Sequence, residues 1–118
     1  MAASKTSKAQ LTSQSLAAAA SVNATEWNMS TAYGGRFFVK ITNGATAPTT
    51  APTVSFYSGE ATGVKRLLFT ATGDTVNSSV THISCEYGLA DMFANVTILN
   101  GATNAITVEA YGQEATGV

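Results

Sequence analysis

The sequence predicts an all-β protein: a single antiparallel β-sandwich or jelly-roll-like domain of about seven to eight short strands. Three observations carry this. Short runs alternating apolar and polar residues recur at roughly 8 to 12 residue intervals. Gly, Asn, Asp and Pro separate the runs, as turns require. Apolar residues nowhere keep helical spacing for more than about one turn. With 118 residues the chain can bury one two-layer core, so one domain carries the whole function.

Residues 1–13, MAASKTSKAQLTS, are small and polar, carry Lys5 and Lys8, and show no periodicity. They read as a flexible N-terminal arm, leaving 14–118 as the sandwich domain. Leu16 to Val22 is rich in Ala but lacks a second apolar turn, so it reads as a strand. Trp27 to Met29 follows, ended by the paired glycines Gly34 and Gly35 of a turn. Arg36 to Thr42 alternates cleanly, with Phe37, Val39 and Ile41 on one face and Arg36, Phe38, Lys40 and Thr42 on the other. Past Asn43-Gly44, Pro48 and Pro52 forbid ladder donation and mark a loop. Val54 and Phe56 alternate with Ser55 and Tyr57 in the next strand. Lys65 to Ala71, Val80 to Tyr87, Phe93 to Leu99 and Ala105 to Tyr111 complete the set, with one helical turn allowed near Leu89 to Met92.

An internal echo runs through this order. Ile41-Thr42-Asn43-Gly44-Ala45-Thr46 returns as Ile98-Leu99-Asn100-Gly101-Ala102-Thr103, and Glu60-Ala61-Thr62-Gly63-Val64 returns unchanged as Glu114 to Val118. Aligning Thr53-Val54 with Thr107-Val108 also pairs Tyr57 with Tyr111. The expected reading is two equivalent β-hairpins in one sandwich.

Chemistry has little to work with in this chain. His82 is the single histidine and Cys85 the single cysteine; three apart on a strand, they point to opposite faces and form no nucleophile–base couple. Cys85 reads as a small core residue, and with no intrachain disulfide the chain suits folding in a reducing cytoplasm. The carboxylates Glu26, Glu60, Asp74, Glu86, Asp91, Glu109 and Glu114 are scattered, with no metal-ligand spacing, and no Gly-rich loop opens a helix to cradle phosphate. Asn23, Asn28, Asn77 and Asn95 begin matches to the glycosylation sequon, which a chain so rich in Asn, Ser and Thr produces by chance. No enzyme activity, cofactor, metal or small-molecule substrate is therefore expected.

The charge argues similarly. Only 11% of residues are charged and the net charge is −1, so no field draws the protein to nucleic acid or to a membrane surface. Leu16 to Ala20 is too short and too interrupted upstream for the apolar region of a signal peptide. A surface of Thr, Ser, Asn, Gly and Ala suits flat protein contacts, because covering short side chains costs little entropy. The candidate interface residues are Lys5, Lys8, Arg36, Phe38, Lys40, Tyr57, Lys65 and Arg66, the local basic groups and the wetter-face aromatics. Trp27 reads as a core plug. Phe38, Tyr57 and Tyr111 would make a sugar-stacking platform if they shared one face, as in a carbohydrate-binding or adhesin-like module.

From Trp27 to Tyr111, and most clearly in WNMSTAYGGRFFVKITNGATAPTTAPTVSFYSG, the chain resembles small virion structural proteins of tailed bacteriophages, of the capsid decoration or cement type. The shared features are a strand running into Tyr-Gly-Gly, a second strand, Asn-Gly and a Pro-spaced loop. The resemblance implies a compact β-domain that binds the major capsid protein lattice or other virion proteins, often as a trimer. It also implies a place on the outer capsid surface, after synthesis in the host cytoplasm, with the N-terminal arm reaching a neighbouring subunit. A neck, tail or fibre adaptor is the alternative within the same class. The shared motif consists of turn residues, so it transfers no site residue.

Overall fold

Phe37, Val39 and Ile41, the apolar face of the alternating run, are all but completely buried, and the fold is built outward from them. The computed structural model describes residues 5–116, which form nine strands in two antiparallel sheets. These are β1 (Lys5–Leu16), β2 (Ser21–Asn23), β3 (Trp27–Asn28), β4 (Gly35–Asn43), β5 (Thr53–Gly59), β6 (Arg66–Thr72), β7 (Val80–Tyr87), β8 (Phe93–Leu99) and β9 (Ile106–Ala115). The first sheet has the order β1-β9-β4-β7 and the second β2-β8-β5-β6, with β3 also pairing β8. The all-β sandwich expected from sequence is what the chain forms.

One core lies between the sheets. Val54 and Phe56 of β5, Val96 and Ile98 of β8, and Val108 and Ala110 of β9 meet the β4 face with no appreciable exposure. Phe37 lies edge-on to Trp27 at 5.5 Å and to Phe56 at 6.5 Å between ring centres, which sets β4 over β5. The two sheet orders then bring β7 and β6 to the same side of the sandwich. Trp27 plugs one end as expected, its ring lying against Gly112, where a Cβ would meet ring carbon Cζ3 at 2.5 Å. Only glycine leaves room for the indole there.

Four expectations are corrected. Residues 5–13, read as part of a flexible arm, lie in β1, whose register with β9 runs from Lys5 opposite Ala115 to Leu16 opposite Ile106; Met1 to Ser4 lie outside the described residues. Lys5 to Ser13 therefore belong to the sandwich, because main-chain pairing with β9 orders a strand whose side chains are mostly exposed and polar. Leu16 to Val22 is not one strand: a turn at Ala18-Ala19, with Ala19 at φ 57°, separates β1 from β2. Leu89 to Met92 forms a turn without a helix.

The fourth correction concerns the echo. Its two copies are β4–loop–β5 and β8–loop–β9, and neither is a hairpin. β4 lies in the first sheet and β5 in the second, whereas β8 lies in the second and β9 in the first. β4 pairs with β9, and β5 with β8, so each copy crosses between sheets and the two clasp each other. Exchanging the copies maps one pairing onto the other, a pseudo-two-fold relation. The last two residues of the second Glu-Ala-Thr-Gly-Val, Gly117 and Val118, lie outside the described residues.

Candidate functional site

The two Asn-Gly loops close one end of the sandwich. Asn43 Nδ2 donates to the Asp74 carboxylate at 2.9 Å and to the Asp74 and Val76 carbonyls at 3.2 and 2.9 Å. Its counterpart Asn100 donates to the Leu16, Ala17 and Asn104 carbonyls at 3.0–3.1 Å. The loops also bond directly, Thr49 N–H to the Ala102 carbonyl at 3.0 Å and Asn104 Nδ2 to the Ala47 carbonyl at 3.1 Å. This end is an internal lock with its polar groups largely spent on one another, and it offers little to a ligand.

The outer face of the first sheet gathers three of the candidate residues. Arg36, Phe38 and Lys40 alternate outward along β4; Phe38 sits between Ser84 of β7 and Tyr111 of β9, and Lys40 between His82 and Glu109. Phe38 and Tyr111 are 38% and 41% exposed, a cross-strand aromatic pair on open surface. Arg36 pairs with Glu86 at 3.6 Å and donates to Ser84 Oγ at 3.2 Å, while Lys40 pairs with Glu109 at 3.7 Å. Tyr111 donates its hydroxyl to Glu109 at 3.3 Å. The charges thus cancel locally, and the patch holds a half-open depression of about 340 Å³. A broader hollow of about 880 Å³ lies at the end of the same sheet, between Lys5, Tyr33, Arg36 and Leu89.

The other candidates fall elsewhere. Lys8 reaches inward to Glu114 at 3.0 Å, and the same buried carboxylate accepts the Trp27 indole N–H at 3.0 Å. Lys8 holds β1 to the core and is not a free docking cation; Lys5, three residues earlier on β1, stays exposed. Tyr57 lies on the second sheet, with its carbonyl accepting the Tyr87 hydroxyl at 3.0 Å. Burial pushes the Tyr87 phenol up, keeping it a donor. Phe38, Tyr57 and Tyr111 consequently share no face, and the three-ring sugar platform does not form. Lys65 is exposed ahead of β6, and Arg66 grips Glu60 through Nε and Nη2. Arg66 holds the Glu60 carboxyl down at about 2.

His82 faces outward opposite Lys40, and Cys85 inward opposite Phe37. Burial, then the Asp91 carboxylate, pushes the Cys85 thiol up, which disfavours the thiolate. Among the described residues no three His, Cys, Asp or Glu side chains converge as metal ligands. What sequence reasoning missed is the exposure of β6. The strand stands where expected, but its Leu67, Leu68 and Phe69 are 61%, 49% and 46% exposed, an apolar run bare on both faces. The available signal was Leu-Leu-Phe itself, an unalternating run of the sort that usually marks a fully covered strand.

No family model matches the chain, and no curated protein matches it in sequence. Solved structures share its fold. One, described under "Bacillus endospore appendages form a novel family of disulfide-linked pili", aligns over 100% of this chain and 93% of its own at 19% identity, with a TM-score of 0.58. The SPBc2 prophage-derived protein YomS aligns over 98% and 96% at 17% identity and TM-score 0.54. The PBSX exported protein XepA aligns over 96% of this chain at 10% identity and TM-score 0.66, this chain spanning 37% of its length. At such identities the likeness is one of fold.

Proposed function

We propose that this chain is a non-enzymatic structural protein of a bacteriophage virion, acting as a capsid decoration protein that binds the major capsid protein lattice through the outer face of its first sheet. The observation that carries the reading is the character of that face. It is locally neutral and centred on the exposed Phe38–Tyr111 pair, with the Arg36–Glu86 and Lys40–Glu109 ion pairs beside it. Contacts between large rigid particles favour such a surface, since aromatic anchors supply area at low entropy cost and paired charges set register. The fold shared end to end with a prophage-derived protein supports the virion context. Many copies on one shell multiply a modest contact into a large stabilisation.

The test is co-sedimentation of the purified chain with phage heads stripped of accessory proteins. Saturable binding that Phe38→Ala with Tyr111→Ala weakens at least tenfold, while the variant keeps its melting temperature within a few degrees, supports the reading. Binding indifferent to both substitutions overturns the assignment of this face. A second reading, subunit of a self-assembling filament, is favoured by the full-length alignment with the endospore pilus protein. Negative-stain microscopy of the concentrated chain separates it from decoration.

A further inference from the structure

We infer that the free edge of β6 is an interface with a second copy of this chain, joined antiparallel across a two-fold axis so that the second sheet runs continuously through both copies.

β6 pairs with β5 on one side and with no described strand on the other, which leaves a row of main-chain donors and acceptors open. The exposed Leu67, Leu68 and Phe69 sit on this edge. Phe69 belongs to the inner face, where it stacks on buried Phe56 at 6.0 Å, yet it stays nearly half exposed. Ile83 and Cys85 of β7, on the same side of the sandwich, are likewise only partly buried against the core. The core is thus uncovered along one side, between the two edges. Edge strands usually carry a central lysine, a proline or an inward charge to repel other strands. Leu67 to Thr72 carries none of these. Its one irregularity, a bulge where Leu68 is passed over between Phe56 and Tyr57 of β5, leaves Phe69 to Thr72 regular.

The occupant follows from self-complementarity. Residues directly opposite in an antiparallel pair share a face, so two β6 strands related by a two-fold axis at Thr70 match inner residues with inner residues over the regular stretch that begins at Phe69. Thr70 meets Thr70, and Phe69 meets Ala71. Arg66, the single charge of the strand, lies beyond the bulge and outside this stretch, so no like charges meet. A partner of different sequence would need charges to set its register, and β6 offers only Arg66, already engaged by Glu60. Such a contact is isologous and closes as a dimer, where the virion resemblance implied a trimer. A strand pair this short falls below the roughly 1,200 Å² of specific, stable interfaces, so a concentration-dependent dimer is expected. The contact stands whether or not the chain decorates a capsid.

The experiment is sedimentation velocity on the full chain over a hundredfold concentration range, beside the double variants Leu68→Lys/Thr70→Lys and Leu68→Glu/Thr70→Glu. Both residues are exposed, and Trp27 fluorescence and melting verify the fold. A dimer in the parent chain, its loss in each variant alone, and its return on mixing the two variants are the expected results. A chain monomeric throughout, a trimer, or a dimer unaffected by either variant would overturn the inference. Since no head is present, failure here is distinct from failure to bind capsids.

Discussion

Asn43 and Asn100 hold equivalent places in the two sheet-crossing units, each buried and each spending its amide on three acceptors in the flanking loops. The equivalence makes Asn→Ala at either site a clean test of the lock. Each substitution orphans largely part-buried acceptors and should destabilise by about 1–3 kcal/mol. Because the two loops also bond to each other, the double variant should depart from the sum of the singles by about 0.5 kcal/mol or more. Chemical denaturation of the four proteins reads this directly, and strict additivity would mean the loops act independently.

Gly44 and Gly101 have the same neighbours in sequence and opposite tolerances. A Cβ on Gly101 would run into the Thr50 carbonyl, whereas on Gly44 its nearest neighbour is the Ala105 carbonyl at 3.7 Å. Gly44→Ala should change stability by no more than about 0.5 kcal/mol. Gly101→Ala should cost several times that or prevent folding, since the obstacle is backbone. Melting temperatures of the two variants decide it.

The Lys8–Glu114–Trp27 cluster ties β1 to the core. Lys8→Met leaves the Glu114 carboxylate with only the indole N–H and should cost about 1–3 kcal/mol, less than a fully buried pair because Lys8 is half exposed. Lys8→Arg should restore most of the loss. Hydrogen exchange should show the β1 amides opening before those of β4 in Lys8→Met; uniform opening would place the effect elsewhere.

Acid should unfold the protein by a defined route. The Asp74 carboxyl lies below its ordinary value because the Ser79 hydroxyl, the Val76 N–H, and then Thr81 and Asn43 donate to its ionised form. Arg66 does the same for Glu60, at about 2. A depressed folded value means that the contribution is complete above the unfolded value and is lost as pH falls through the folded one. Melting temperature should therefore hold level from neutral pH to about 5 and decline below the carboxylates' ordinary values. Asp74→Asn should start lower at neutral pH and decline less steeply; an unchanged slope would remove Asp74 from the account.

Where burial falls on one face of a strand, the sequence was readable. β4, β7 and β8 stand where alternation put them, to within a residue at either end, because a half-buried strand writes its pleat into its side chains. β1 escaped notice because only Gln10 and Leu16 of its twelve residues are buried, and main-chain pairing leaves no mark in side-chain type. The echo was visible but its topology was not. Alternation does not reveal whether successive strands share a sheet, although Gly44–Pro52 is longer than the roughly two to five residues of a hairpin turn. Lys8 looked like a docking cation because its partner Glu114 lies at the far end of the sequence, and only the β1–β9 register unites them. Of the candidate surface, Arg36, Phe38 and Lys40 were legible as one outward face, whereas the bareness of β6 depends on what fails to cover it.

The pairing of β1 with β9 imposes an order on synthesis. β1 leaves the ribosome long before its sheet partner β9, and β4 depends on the same later strand. Until β9 emerges, the first sheet lacks its central member, so the nascent chain must be kept from associating while its apolar β4 and β6 wait. The emergence of β9 then closes the sheet, with Lys5 and Ala115 brought side by side.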